Sequence, residues 1–275
     1  IRNILMLKKA LLIFNTVRFL KRRQLFYQVY YRIKPYKNLD KYVVQDTTKT
    51  ACSFLNFTYK SSVGRFATST GDFEFLNLSK NFYPNINWGY QEYGKLWNYN
   101  LQYFNYLHQD NLPDETKLSW LTDLGEWLRK GKLKIEPYPV SLRVMNVIRY
   151  FSEKHINDTV IIADTYAQLN YLNRHIEYHL LGNHTLENGF ALMMGGCFFM
   201  QEEWEAKAKK ILYHELNEQI LNDGAHFELS PMYHQIIFYR LLELIDWYGN
   251  KPHPDHRFFE FIREKACWML GWLKV

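Results

Sequence analysis

Cysteine is scarce in these 275 residues: Cys52, Cys197 and Cys267 form an odd set with no CxxC spacing. Neither a disulfide framework nor a cysteine zinc site is supported, and the three read as buried thiols. Long apolar runs are missing too. Nothing approaches the roughly 20 residues that cross a bilayer, and the short "ALLIF" run at 10–14 lacks the small-residue cleavage site of a signal peptide. Composition therefore leaves the compartment open. There is no glycine-rich phosphate loop, no nucleic-acid module and no repeat of fixed period. "HIEYH" (175–179) has its Glu displaced relative to HExxH, and "HELNE" (214–218) lacks a second His. Both read as helix surface, so neither a metal nor a cofactor is expected.

What the chain has in quantity is apolar and aromatic surface. At 47% hydrophobic it supports one large domain, or one and a fraction, with a substantial core. Its 8 Trp, 21 Tyr and 19 Phe offer flat faces with polar tips, which suit sugar rings as well as cores. Positive charge is concentrated at one end. Residues 1–41 hold eleven Lys or Arg against Asp40 alone, a local +10 within a total of +6, so the rest of the chain is net negative. Leu5, Leu12, Val17 and Leu20 alternate with those charges at nearly helical spacing. A segment of this kind either docks on the body with its basic face solvated or lies on an anionic membrane surface.

Three regions follow: a basic segment (1–45), a connector with short strands (46–95) and a helical domain (96–275). In the connector, "SFLNFTYK" and "FEFLNLSK" are partly alternating aromatic stretches of strand type. Beyond Trp97 the helical period takes over, as in Leu118, Leu121, Leu124 and Leu128, then Val140, Val144, Val147 and Phe151. The run from Leu169 through Leu172 and Ile176 to Leu180 predicts another helix, with Gly182 as its left-handed terminal cap. Further helices are expected over roughly 201–221, 231–249 and 256–274, each set off by a turn signal. The fold class is mainly all-α, an array of antiparallel helical hairpins. The apolar pattern "CWMLGWLKV" runs to the last residue, so the sequence is expected to be the front part of a longer protein.

Polar chemistry gathers twice at helix starts. "LLGNHTLENG" (180–189) places Asn183, His184 and Glu187 between two glycines. "NDGAHFELSPMYHQ" (222–235) contains a Ser230-Pro231 helix start that puts Tyr233 and His234 in the first turn, where helix N–H groups and the dipole favour anions. If the intervening helices run up and down in pairs, the two clusters meet on one rim. Periodicity alone leaves two readings open: caps and turns, with Asn183 as an N-cap, or a site for an anionic substrate.

Four stretches, "LWNYNLQYFNYL" (96–107), "EPYPVSLRVMNVIRY" (136–150), "GNHTLENGFAL" (182–192) and "EQILNDGAHFELSPMYH" (218–234), resemble the N-terminal helical domain of the heparinase II/III-like polysaccharide lyases, the group that includes alginate lyases. The last two are the specific ones. The resemblance implies an incomplete (α/α) toroid followed by an antiparallel β-sandwich domain, an acidic polysaccharide partner, and β-elimination at a uronate, in a bacterial periplasm or cell envelope. It also implies roles. Asn183 resembles the family's carboxylate neutraliser, with His184 beside it, and Tyr233 the tyrosine that takes the C5 proton. Arg143, Glu187, His226 and His234 are expected near the substrate, with Glu187 and Glu228 expected rather to lock helix starts and to orient His184.

The chemistry fits those residue types. Removing a proton next to a carboxylate demands donors aimed at that carboxylate, which an amide and an imidazole supply. A tyrosine is a poor base at its ordinary pKa of about 10, so positive charge is needed nearby, from the helix N-terminus and from Arg143. The family also recruits a histidine from the β-domain. The 275 residues alone are thus expected to be folded but nearly inactive, with an apolar seam formed by Phe258, Phe259, Phe261, Trp268 and Trp272. Rival readings are a toroid glycoside hydrolase using Glu187 and Glu228 as paired carboxylates, and a non-catalytic glycan-binding or assembly protein.

Overall fold

The structure, a computed structural model, describes residues 17–35, 37–44, 50–61 and 63–274, together with Leu11, Leu12 and Asn15. Arg2, Leu5, Lys8 and Lys9 of the basic segment lie outside the described residues. Helix α1 (Arg22–Ile33) belongs to that segment. A hairpin of β1 (Asp72–Phe75) and β2 (Leu78–Asn81) follows, with Phe75 opposite Leu78. Its two-residue turn, Leu76 and Asn77, has positive φ at both positions, the backbone that matches strand twist in a tight hairpin. "FEFLNLSK" is therefore two strands folded on themselves. "SFLNFTYK" forms no strand: single bonds from Ser53, Leu55 and Thr58 pin it to Phe198, Ser152 and Asp246 on three different helices.

The helical body comprises α2 (Lys95–Tyr103), α3 (Asp114–Arg129), α4 (Pro137–Lys154), α5 (Thr159–Arg174), α6 (Gly182–Phe198), α7 (Glu202–Gln219), α8 (Pro231–Gly249) and α9 (His256–Trp272). It is layered. Helix α2 packs on α4, α4 on α6 and α6 on α8, making an inner row, while α3, α5, α7 and α9 return outside it. The pairs α4/α5, α6/α7 and α8/α9 are hairpins, and the whole is an incomplete (α/α) toroid. Helix α6 is buried on nearly every face. Its glycines let neighbours close in: a Cβ on Gly195 would lie 2.5 Å from Leu169 of α5, and one on Gly189 would lie 2.9 Å from Ile211 of α7.

Two boundaries differ from the periodicity. Helix α5 stops at Arg174, and Gly182 (φ +56°) opens α6 instead of closing the helix before it. Asn183 consequently sits inside the first turn of α6, not at its cap. The cause is α1, whose side chains take the carbonyls that a longer α5 would need. Lys34, Tyr31, Gln28 and Gln24 donate to the carbonyls of Arg174, Ile176, His179 and Leu180. The basic helix is thus docked on the body. At the far end the expected apolar seam is mixed: Phe258 is fully buried, Phe259, Phe261 and Trp272 are half-buried with Trp272 packed on His234, and Trp268 is 39% exposed. Among the described residues, no helix is long and apolar enough to cross a membrane.

Candidate active site

Because each inner helix is followed by an outer one running back, the inner helices all begin at the same rim. There Leu96 of α2, Tyr138 of α4, Asn183 and His184 of α6, and Tyr233 of α8 line one cleft of about 650 Å3, with Glu228 on its edge. The two polar clusters do meet. Pro137 and Pro231 occupy first-turn positions of α4 and α8, where their missing N–H costs nothing. Ser230 stands at the N-cap of α8 as expected, but its side chain makes no capping bond.

On the α6 side the groups are held by other side chains. Asn183 Nδ2 donates to Tyr138 Oη at 3.4 Å, while its Oδ1 is buried without a hydrogen-bond partner. His184 stacks on Tyr138 with ring centroids 4.4 Å apart, and its Nδ1 lies 3.3 Å from Glu177 Oε1. A carboxylate only accepts, so the shared proton sits on Nδ1 and Nε2 is the nitrogen left for a ligand. Glu177 is itself fixed: Asn188 Oδ1 accepts from its backbone N–H at 2.8 Å, and Asn188 Nδ2 donates to Oε2 at 3.1 Å. Burial, then the Glu187 carboxylate, push the Tyr138 phenol well above its ordinary value. Tyr138 is therefore a neutral hydroxyl, suited to orienting Asn183 and not to removing protons.

On the α8 side the backbone does the holding. Phe227 N–H donates to Gln219 at 2.8 Å and Leu221 N–H to Ala225 at 2.9 Å. Gly224 (φ +89°) passes so close to α9 that a Cβ would meet the Trp268 carbonyl at 2.1 Å. This loop presents Glu228 and Tyr233 to the cleft.

The four expected substrate-binding residues are buried, and none lines the cleft. Arg143 is 2% exposed, donates to Gln168 Oε1 at 2.7 Å and to the Gln102 carbonyl at 3.0 Å, and burial lowers its pKa to about 9. It braces the core between α2, α4 and α5 and does not line the cleft with Tyr233. His226 has Nε2 3.4 Å from Gln219 Oε1 while its Nδ1 accepts from the Glu228 N–H, and burial lowers its pKa to about 4. His234 bonds the Met269 carbonyl at 3.0 Å under Trp272.

Glu187 is 1% exposed and bound to Arg240 at 3.1 Å. Arg240 also binds Glu243 at 2.8 Å, which in turn accepts from Arg149 at 2.8 Å. Burial raises the Glu187 pKa, against the pull of Arg240. Glu243 is equally buried, yet Arg240 and Arg149 together outweigh that and hold its pKa low. This chain of charges ties α4, α6 and α8 together in the interior. It also counts against the paired-carboxylate hydrolase, because Glu187 is tied to Arg240 and does not line the cleft with Glu228.

Sequence reasoning missed Glu177, Tyr138 and Arg240. Each left a trace. Glu177 is the displaced Glu of "HIEYH", which turns out to be a tight turn and not helix surface; Tyr138 stands between two prolines; Arg240 and Glu243 are charges three apart in a largely apolar stretch of helix. Among the described residues, no group of three or more His, Cys, Asp or Glu is placed to hold a metal ion.

The chain is 35% identical over 94 residues to a heparin-sulfate lyase of Bacteroides stercoris, covering 32% of this chain and 14% of that protein. It is 24% identical over 196 residues to a heparin-sulfate lyase of Pedobacter heparinus, covering 57% of this chain and 29% of that one. The chain thus spans well under half the length of these relatives. In fold it resembles the crystal structure of a mutant of the heparan sulfate lyase HepC from Pedobacter heparinus, with a TM-score of 0.51 at 20% identity over 86% of this chain and 42% of the other. Residues 17–264 match the heparinase II/III N-terminus family, and the chain belongs to that family.

Proposed function

We propose that the cleft belongs to a polysaccharide lyase that cleaves a uronate-containing acidic glycan by β-elimination. One observation carries the reading: Asn183, His184 and Tyr233, brought from helix starts about 50 residues apart in sequence, line a single cleft. The Asn183 amide and His184 Nε2 hydrogen-bond the uronate carboxylate and stabilise the charge that grows on it as C5 loses its proton. The buried, unpartnered Asn183 Oδ1 marks this amide as a group poised to exchange partners. Tyr233 takes the C5 proton; the electron pair forms the C4–C5 double bond, the C4–O4 bond breaks, and O4 receives a proton. Tyr233 sits in the first turn of α8, whose positive end faces the developing charge. The names of its relatives, heparin-sulfate lyases of Bacteroides stercoris and Pedobacter heparinus, support this assignment.

Incubating the full-length protein with uronate-containing glycans, heparan sulfate first, tests it. The expected product is unsaturated, with an ultraviolet absorbance that grows with cleavage, and Tyr233→Phe lowers the rate by at least about 10²-fold. Saturated, hydrolytic products overturn the reading. Binding without turnover converts the protein to a glycan-binding one.

A further inference from the structure

Among the described residues the cleft is short of positive charge. Its one lysine, Lys21, is bound to Glu218, and Glu228 stands opposite without a basic partner on the cleft wall. A polyanionic chain must therefore find its counter-charges elsewhere. Directly beside the cleft lies a second groove of about 550 Å3 that shares Tyr99, Leu180 and His184 with it, so the two form one continuous path.

This groove is lined by Lys34, Lys37, Lys95 and Lys134 against Glu136 and Glu177 only. Lys95 is neutralised by Glu136 at 2.8 Å, and Glu177 is turned to His184. Lys34 is anchored by one donor to the Arg174 carbonyl at 2.8 Å, which leaves its ammonium two further protons to give. Burial first, then the like charges of Arg174 and Lys37, lower its pKa. The walls supply Tyr31, Tyr99 and Tyr171, flat surfaces of the kind on which sugar rings stack. His175 adds no competing charge, since burial lowers its pKa to about 4.

We infer that this lysine-lined groove, built where α1 docks on the 174–180 turn, is a subsite that grips anionic substituents of an acidic glycan some sugars away from the bond at Tyr233. The inference rests on the lyase reading for the direction of the chain, and it gives the basic N-terminal helix a part in binding. It predicts a length dependence: a short oligosaccharide that fills the cleft gains nothing from the groove, and a long one does.

The test uses the full-length protein, with heparan sulfate tetrasaccharides and dodecasaccharides as probes and inorganic sulfate as a control. Lys34→Ala/Lys37→Ala/Lys134→Ala is expected to raise the Kd for the dodecasaccharide about 10-fold, three individually weak exposed contacts acting together, and to move the tetrasaccharide far less. The difference should shrink as salt is added, and sulfate at millimolar concentration should not reproduce it. Lys37→Ala/Lys134→Ala, which spares the Lys34 anchor of α1, should show the larger part of the effect. An unchanged dodecasaccharide Kd in these variants, while the protein still cleaves, overturns the groove alone. A wild-type protein that binds no acidic glycan overturns groove and lyase reading together. Lysine-dependent binding of the long chain without cleavage supports the groove and sinks the lyase.

Discussion

The two halves of the cleft rim are organised in opposite ways. At the start of α6, side chains hold side chains: Glu177 holds His184, Asn188 holds Glu177, and Tyr138 holds Asn183. At the start of α8, a backbone loop with a close-packed Gly224 presents Tyr233 and Glu228 while its histidines turn inward. The difference matches what the proposed β-elimination would ask of each half. A carboxylate acceptor site needs donors fixed in direction, because hydrogen bonds weaken steeply off axis. A base that takes and returns a proton needs only its place. Between the halves runs the buried chain Glu187–Arg240–Glu243–Arg149, which sets their distance.

Breaking that link should have the largest effect. Arg240→Ala leaves Glu187 buried without its partner and is expected to cost about 3–5 kcal/mol of unfolding free energy, read by urea denaturation. A loss under about 1 kcal/mol would mean the network is not what joins the halves. Next comes the α6 half itself. Asn183→Ala should lower turnover by at least about 10²-fold with little change in the unfolding midpoint, whereas a large loss of stability with modest loss of turnover would return Asn183 to a structural role in the turn. Glu177→Gln removes the charged acceptor behind His184 but keeps the size of the side chain. It should cost about 10-fold in turnover, the scale of one charge-assisted hydrogen bond, and an unaltered rate would free His184 from that pairing.

The sequence made some of this legible. The helices over 118–128, 140–151 and 231–249 follow from apolar spacing and from prolines at first turns, and the meeting of Asn183 with Tyr233 follows from helices running up and down in pairs. What stayed hidden depends on partners distant in sequence. Arg143 reads as a substrate residue because an arginine in a conspicuous motif invites it, yet only packing reveals that Gln168 and Gln102 absorb its donors. The end of α5 cannot be placed from its own apolar residues, since the carbonyls beyond Arg174 are taken by α1, some 140 residues earlier. Glu177 is invisible for the same reason: its role appears only once that turn folds back against α6.

A distributed effect concerns pH. His108, His175 and His226 all have pKa values lowered to about 4, burial being the first cause in each. The folded state then binds fewer protons than the unfolded one, so the stability these groups contribute is present above about pH 6.5 and is lost as pH falls through that value towards 4. Thermal unfolding between pH 7 and pH 4 should show a falling midpoint, shallower in His175→Asn than in the wild type. A flat profile would place these rings in contact with solvent.

The most direct test of the account is the structure of the full-length Tyr233→Phe protein with a bound acidic oligosaccharide. The uronate carboxylate is expected within hydrogen-bond distance of Asn183 Nδ2 and His184 Nε2, with its C5 facing the ring at 233. A glycan whose carboxylate lies away from Asn183, or that bypasses the cleft, would contradict it.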